Sequence, residues 1–165
     1  MVYNEKFQVE TGVAHVTVID VTKQVREIYA RSGLRNGSLL VYTGHTSCSV
    51  QIQEFSDGKT YWGTELIMQD LINCLEKIVP TCTNEGIYLH PNTEHVRLAK
   101  LNRNENSEWC LNTDGHIRSV IMGRSVTMPI IDGEIQLGEF GCIYFADWDQ
   151  VRARTRTVIV QVQGE

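Results

Sequence analysis

Three histidines lie where the chain is predicted to turn between elements. His45 lies in Gly44-His-Thr-Ser between two strand-like runs, His90 ends Tyr-Leu-His, and His116 follows Asn-Thr-Asp-Gly. Catalytic zinc is commonly bound by three imidazoles and one water. A substrate oxygen can replace the water, and the zinc ion then polarises that oxygen. His45, His90 and His116 are therefore candidate ligands for zinc or a similar divalent ion, although no local spacing motif ties them together. The alternative is three unrelated polar histidines.

Other titratable side chains near these turns are weaker candidates. A structural or solvated role is favoured for His15, in a predicted strand, and for His95, in a predicted polar loop. A metal-bound imidazole usually donates its second N–H to a carboxylate or a carbonyl, and several acids are available. Glu54 ends the strand that starts beside His45, so it is a candidate general base or partner of a ligand, but the sequence alone favours a solvated loop carboxylate. The other nearby acids are Asp57, Asp70 and Asp114.

Three arginines occupy alternate positions near the end of the chain, at Arg152, Arg154 and Arg156. Side chains two residues apart share one face of a strand, so the guanidinium groups form a row that can bind a phosphate or diphosphate through paired N–H donors. Arg152 and Arg154, together with Glu54, are the candidate catalytic side chains. The alternative is that the row pairs with Asp147, Asp149 and neighbouring acids on an outer sheet face.

Two helices are predicted to position these residues. Asp20 can cap a helix that has apolar residues at helical spacing and Gly33 at its end. A second helix starts at about Thr64 and is ended by Pro80. Its predicted apolar face consists of Ile67, Leu71, Cys74, Leu75 and Ile78.

Short strand-like runs make up most of the remaining chain. The first two, around Phe7–Val9 and Val13–Ile19, are predicted to form a hairpin. Runs 38–43 and 47–53 should pair antiparallel or continue through a bend at His45. Further runs cover 119–129, 134–137, 142–146 and 151–163, and residues 81–113 read as loops with at most one brief element. We predict a single α+β domain over 1–165, mostly an antiparallel β-sheet or sandwich with two main helices.

Composition narrows the function classes. The 165 residues are 42% hydrophobic and carry a net charge of −5, with no general basic surface, so nucleic acid is not expected as a partner. A secretory signal and a membrane-length apolar run are both missing from the sequence, so neither export nor a membrane partner is expected. The five cysteines are odd in number and lack a Cys-x-x-Cys pair, which favours reduced core thiols and a cytoplasmic location.

Ordered short motifs along the chain resemble the YjbQ-like family. They begin with His45-Thr-Ser-Cys-Ser-Val and Gln-Glu54, and continue with Asn112-Thr-Asp-Gly-His-Ile-Arg-Ser and Gly-Arg-Ser125. Pro129, Asp-Gly133, Leu-Gly138 and the terminal Val-Gln-Gly-Glu165 complete the series. Each motif is short, but their joint order is specific and spans nearly the whole chain.

The resemblance implies a YjbQ-like α+β fold assembled as a homotrimer, with a metal on His45, His90 and His116. It also implies secondary thiamine-phosphate synthase activity, which joins a pyrimidine methyl diphosphate to a thiazole phosphate and releases pyrophosphate. Glu54 matches the acid after the His-Thr-Ser strand. The chain departs from the family at Phe140-Gly141, where many members have Trp-Gln, at Asp147, where many have Glu, and in longer stretches around 55–63 and 92–110.

Two other functions are compatible with the same residues. One is metal-assisted hydrolysis of a phosphoester, in which a metal-bound water attacks. The other is a non-catalytic, trimeric binding module for a small anionic metabolite. All three functions share a small phosphorylated or anionic ligand. Imidazole ligands suit zinc, iron, nickel and copper, so the ligand set alone does not identify the metal.

Overall fold

The computed structural model describes residues 1–165 and contains eight strands, four α-helices and one short 3₁₀ helix. The strands are β1 (Val2–Thr11), β2 (Thr17–Asp20), β3 (Gly37–Tyr42), β4 (Cys48–Glu54), β5 (Ser125–Ile131), β6 (Glu134–Ile135), β7 (Gly141–Asp147) and β8 (Arg154–Gly164). The α-helices are α1 (Thr22–Ser32), α2 (Leu66–Ile78), α3 (Thr93–Arg103) and α4 (Thr113–Met122), and the 3₁₀ helix is Ser107–Cys110.

The strands form two antiparallel sheets. One has five strands in the order β1-β8-β3-β5-β6, and the other has three in the order β2-β7-β4. The main core of 18 buried apolar residues includes Val158, Val160 and Val162 of the first sheet and Ile143 and Phe145 of the second. The two sheets therefore pack face to face, and the predicted α+β class with a mostly antiparallel sheet is confirmed.

Helices α1 and α2 form where the sequence predicts helices. Asp20 accepts a hydrogen bond from the Thr22 N–H at 2.8 Å at the start of α1, and Gly33 ends that helix with a φ of 67°. A left-handed residue at this position favours glycine, which has no Cβ to clash. The predicted face of α2 is partly wrong, because Met68 and Leu75 are its buried residues while Cys74 and Ile78 are exposed.

The two further helices correct the expected number from two to four. Helix α3 lies in the predicted loop region; Asn92 caps it by accepting from the His95 N–H at 2.8 Å, and only Ala99 is buried. Helix α4 replaces the first part of the predicted strand 119–129. Its packing against β4, where the buried Ser119 hydroxyl donates to the Cys48 carbonyl, outweighs the local strand propensity of the sequence.

The structure contradicts one predicted strand pairing and decides between the two alternatives given for another. The expected hairpin is absent, because β1 pairs with β8 in one sheet and β2 pairs with β7 in the other. Strands β3 and β4 do not pair with each other: the chain continues through a bend, the second predicted alternative, and crosses between the sheets at 43–47, the segment that carries His45. Since sheet partners lie far apart in sequence, local patterns cannot choose between these pairings.

The five cysteines are all free thiols. Cys48, Cys82 and Cys110 are buried as expected. Cys74 is exposed on α2, so the prediction of a core thiol is wrong for that residue. Burial raises the pKa of Cys48 and Cys110, which disfavours a reactive thiolate at either position. None of the helices has the length and apolar character needed to cross a membrane.

We expect Val160→Ala to lower the free energy of unfolding by about 2 kcal/mol, because it removes two methyl groups from the fully buried core. Val120→Ala is the matched control, since Val120 is 83% exposed on α4 and the same change there should stay within about 0.5 kcal/mol. Urea unfolding measures both values. Equal losses at the two positions would contradict the placement of the core.

Candidate functional site

A cavity of about 400 Å³ opens at the end of the sheets where the chain crosses between them. It brings together the three predicted histidines and the arginine row. Of these residues, His45 and Arg156 are more than a hundred positions apart in the sequence. The lining also contains side chains from α3, the 3₁₀ helix and the turn after β7. The charged and aromatic lining residues are His45, His90, His95, Arg103, Glu105, Trp109, His116, Asp149, Arg152, Arg154 and Arg156.

His45 is held by β8 on one side of the cavity. Its Nε2 accepts a hydrogen bond from the Thr157 N–H at 3.0 Å, and the Thr43 hydroxyl donates to the Thr157 carbonyl at 3.0 Å. Burial, and then the charge of Arg156, lower the pKa of His45. The ring is therefore neutral near pH 7, with its proton on Nδ1 and Nε2 serving as the acceptor.

His116 lies on α4, whose backbone runs unusually close to the turn after β7. A Cβ at Gly115 would lie 3.1 Å from the Trp148 carbonyl oxygen, which explains glycine at this position. The Ser119 hydroxyl donates to the Cys48 carbonyl at 2.5 Å and fixes α4 against the start of β4. His116, which the sequence places in a turn just before a strand, thus lies in the first turn of a helix.

His90 and His95 form a pair at the cavity wall. Their rings are 4.3 Å apart at 73°, and the Thr113 hydroxyl donates to the His90 carbonyl at 2.5 Å. Desolvation, followed by the nearby His95 and His116, lowers the pKa of His90. The sequence favours a structural or solvated role for His95, but His95 lines the cavity; the signal that places it there is the Asn92 cap, because Asn92 starts a helix whose first turn contains His95.

The histidines share the cavity without forming a ready metal shell. No three or more His, Cys, Asp and Glu side chains come close enough together to hold a metal ion. Nε2 of His45 is already engaged by Thr157, which leaves only Nδ1 for a ligand. In this arrangement His45, His90 and His116 do not fit a three-histidine metal site.

Arg156 forms a buried ion pair behind the cavity wall. Its Nε and Nη2 donate to the two carboxylate oxygens of Asp147 at 2.6 and 3.0 Å, and Nη2 also donates to the Ser47 hydroxyl at 3.0 Å. Burial opposes the charge of Arg156, but Asp147 outweighs it and holds the pKa of Arg156 above its ordinary value. Asp147 is fully buried, so this pair is part of the framework of the site.

Arg154 and Arg152 face the cavity with weaker internal partners. Arg154 donates to Asp149 at 3.1 Å, and Arg152 donates to Glu105 at 3.3 Å while its guanidinium carbon lies 4.5 Å from the centre of the Trp109 ring. The Nε atoms of both arginines are buried and have no hydrogen-bond partner. Burial lowers the pKa of Arg154, and Arg152 and Arg156 add to the effect against the opposing charge of Asp149.

A model of the family described as UPF0047 protein YjbQ-like matches residues 5–165. The chain belongs to the YjbQ-like family. A UPF0047 protein of Methanothermobacter thermautotrophicus is 30% identical over 164 residues, covering 99% of this YjbQ-like chain and 94% of that relative. YugU of Bacillus subtilis is 25% identical over 147 residues, covering 89% of each chain.

Solved structures share the YjbQ-like fold. A hypothetical protein from Aeropyrum pernix has a TM-score of 0.71 at 25% identity, covering 98% of this chain and 99% of that one. A YbjQ-like protein of unknown function from Sulfolobus solfataricus has a TM-score of 0.72 at 18% identity, with full coverage of both chains. The predicted family and the predicted YjbQ-like fold are therefore both confirmed.

Two predicted acids do not reach the cavity of this YjbQ-like chain. Glu54 is exposed at the far end of β4, about 20 Å along the strand from Cys48 at the cavity end. Asp114 is buried, but it accepts from the Cys82 N–H at 3.2 Å and does not line the cavity. The carboxylates that line it are Glu105 and Asp149.

We expect Arg156→Ala to lower the free energy of unfolding by about 3–5 kcal/mol, because it leaves the Asp147 carboxylate buried without its countercharge. The matched control is Arg31→Ala. Arg31 pairs with Glu5 on the exposed surface, where solvent screens the interaction, so little change is expected. Denaturant unfolding compares the two variants. A small effect at Arg156 would contradict its role in the framework.

Proposed function

We propose that this YjbQ-like protein binds a small phosphorylated metabolite in the histidine and arginine cavity. The observation that carries the proposal is the pair of buried, unpartnered Nε atoms of Arg152 and Arg154. A buried donor without a partner is costly, and a bound phosphate oxygen would satisfy it. Guanidinium groups also match the geometry of a phosphate, with which they form paired hydrogen bonds.

The charge balance of the cavity supports an anionic ligand. Four arginines line it, and the acids available to them are Glu105, Asp149 and the buried Asp147. One positive charge therefore remains uncompensated, although the whole chain has a net charge of −5. Since its surroundings disfavour the charged form of Arg154, an added anion there would relieve an existing electrostatic cost.

We further propose the transferase activity that the family resemblance implies. The thiazole nitrogen attacks the methylene carbon of the pyrimidine methyl diphosphate, the carbon–oxygen bond breaks, and pyrophosphate leaves with the electron pair. Arg152 and Arg154 stabilise the negative charge that develops on the leaving group. In the metal-free cavity His45 is neutral and donates a hydrogen bond from Nδ1, which positions the substrate without adding charge.

The expected activity is release of pyrophosphate only when both the pyrimidine methyl diphosphate and the thiazole phosphate are present. Arg154→Gln should lower kcat/KM about 100-fold, because one charged donor to the leaving group is lost. Arg97→Gln is the control, since Arg97 is exposed on α3 and pairs with Glu94 outside the cavity. A coupled pyrophosphate assay measures both variants; full activity in Arg154→Gln would contradict the assigned role.

Phosphate release and ligand retention, measured beside pyrophosphate release, separate the two other candidate functions. Phosphoester hydrolysis by a metal-bound water predicts turnover of a single phosphorylated substrate without a thiazole co-substrate. A trimeric binding module predicts tight retention of a phosphorylated ligand with no turnover. The transferase is rejected if pyrophosphate release does not depend on the thiazole phosphate.

Metal binding is a separate proposal. A divalent ion on His45, His90 and His116, with zinc as the first choice, requires the imidazoles to move together and His45 to bind through Nδ1. The proposal predicts one ion per chain after dialysis against zinc, and loss of that ion in both His90→Ala and His116→Ala. Elemental analysis measures the content. Full metal occupancy in either variant, or none in the wild type, would reject this ligand set without affecting the anion proposal.

The subunit number and the cellular location of this protein stay predictions. The family resemblance implies a homotrimer, and the thiol content favours the cytoplasm. Nucleic acid is not expected as a partner because the sequence carries no general basic surface, and a membrane is not expected because no apolar run has membrane length. Light scattering coupled to gel filtration measures the subunit number directly.

A further inference from the structure

We propose that Arg103, Arg152 and Trp109 form an outer anion subsite of the cavity, and that the Glu105 carboxylate occupies this subsite until a phosphate group of the ligand displaces it. The inference rests on the proposed function, because it requires a phosphorylated ligand in this cavity. It assigns the region around α3 and the 3₁₀ helix a direct role in ligand binding.

Glu105 stands in the cavity as a phosphate group would. One carboxylate oxygen accepts from Arg103 Nε at 3.0 Å, and the other accepts from Arg152 Nη2 at 3.3 Å. A single anion thus bridges two guanidinium groups that come from separate segments of the chain. Carboxylate and phosphate oxygens accept hydrogen bonds from guanidinium groups in similar geometry, so the two anions can exchange at this position.

The hydrogen bond between Arg152 and Glu105 is long, so an anion that binds Arg152 more closely can replace Glu105. Hydrogen bonds between oppositely charged groups are typically about 2.7–2.9 Å long, and the bond to Arg152 is 3.3 Å. Arg152 Nε has no partner at all. A phosphate offers more oxygens and more charge than a carboxylate, so it can satisfy donors that Glu105 leaves unpaired.

Arg152 has a second support that does not depend on Glu105. Its guanidinium carbon lies 4.5 Å from the centre of the Trp109 ring, a cation–π contact that keeps the group in place. The outer subsite would therefore survive the departure of the carboxylate. Arg103 has a half-exposed side chain and can follow the incoming anion.

Glu105 can leave by turning its side chain. Its neighbours are both helix caps: Asn104 ends α3 in the left-handed conformation, and the Asn106 side chain accepts from the Glu108 N–H at the start of the 3₁₀ helix. The backbone is thus fixed on either side of Glu105. Although partial burial works the other way, Arg103 and Arg152 hold the pKa of Glu105 below its ordinary value, so the carboxylate is ionised at neutral pH and repels an incoming phosphate.

Calorimetric titration with pyrophosphate tests the inference. Glu105→Gln should bind pyrophosphate about 3–10 times more tightly than the wild type, because the competing charge is removed while the arginines remain. Glu94→Gln is the matched control: it removes one carboxylate from the same region, and Glu94 pairs with Arg97 outside the cavity. Its affinity should equal that of the wild type. Thermal unfolding confirms that each variant is folded, and Glu105→Ala serves as a second variant with the same expected gain.

The outcomes distinguish the two proposals. Equal or weaker binding by Glu105→Gln, with the wild type still binding, would overturn the outer subsite and leave the proposed function intact. Absence of binding by every variant would overturn both. In Glu105→Gln combined with Arg152→Gln the gain should disappear. A gain that persists without Arg152 would mean that Glu105 acts only through its general charge, and it would also overturn the subsite.

Discussion

The buried ion pair between Arg156 of β8 and Asp147 of β7 joins the two sheets at the end where the cavity opens. Asp147 also accepts from the Thr11 hydroxyl at 3.0 Å, so the same carboxylate contacts β1 as well as β8. A buried charge is tolerated only when it is paired and hydrogen-bonded, and this requirement fixes how the sheets meet. The start of β8 is therefore held in place, and Arg154 is directed into the cavity.

The remaining charges of the site are balanced less completely than this pair. Arg154 and Arg152 each have one acidic partner and one unsatisfied buried Nε, and Glu105 is shared between two arginines. If these side chains contributed only to stability, we would expect their buried Nε donors to be paired, or apolar groups to stand in their place. Incomplete pairing on the cavity wall is instead typical of a site in which a ligand supplies the missing acceptors.

The outer wall of the cavity comes from the stretch around 92–110. That stretch forms α3 and the 3₁₀ helix and contributes His95, Arg103, Glu105 and Trp109 to the lining. Segments between the elements of a sheet scaffold can change without disturbing the core. The YjbQ-like fold therefore leaves this wall free to adapt, and ligand preference can differ between members with the same sheets.

Periodicity and side-chain chemistry predicted the α+β class and the positions of α1 and α2 from sequence alone, and the ordered family motifs singled out His45, His90 and His116. Each of those signals is local or follows from an ordered family pattern. Only the tertiary structure decided that α4 is a helix, that Glu54 lies far from the cavity, and that Glu105 takes its place near the arginines. These features depend on which strands pair and how the sheets pack, and such contacts join residues too distant in sequence for a local pattern to specify.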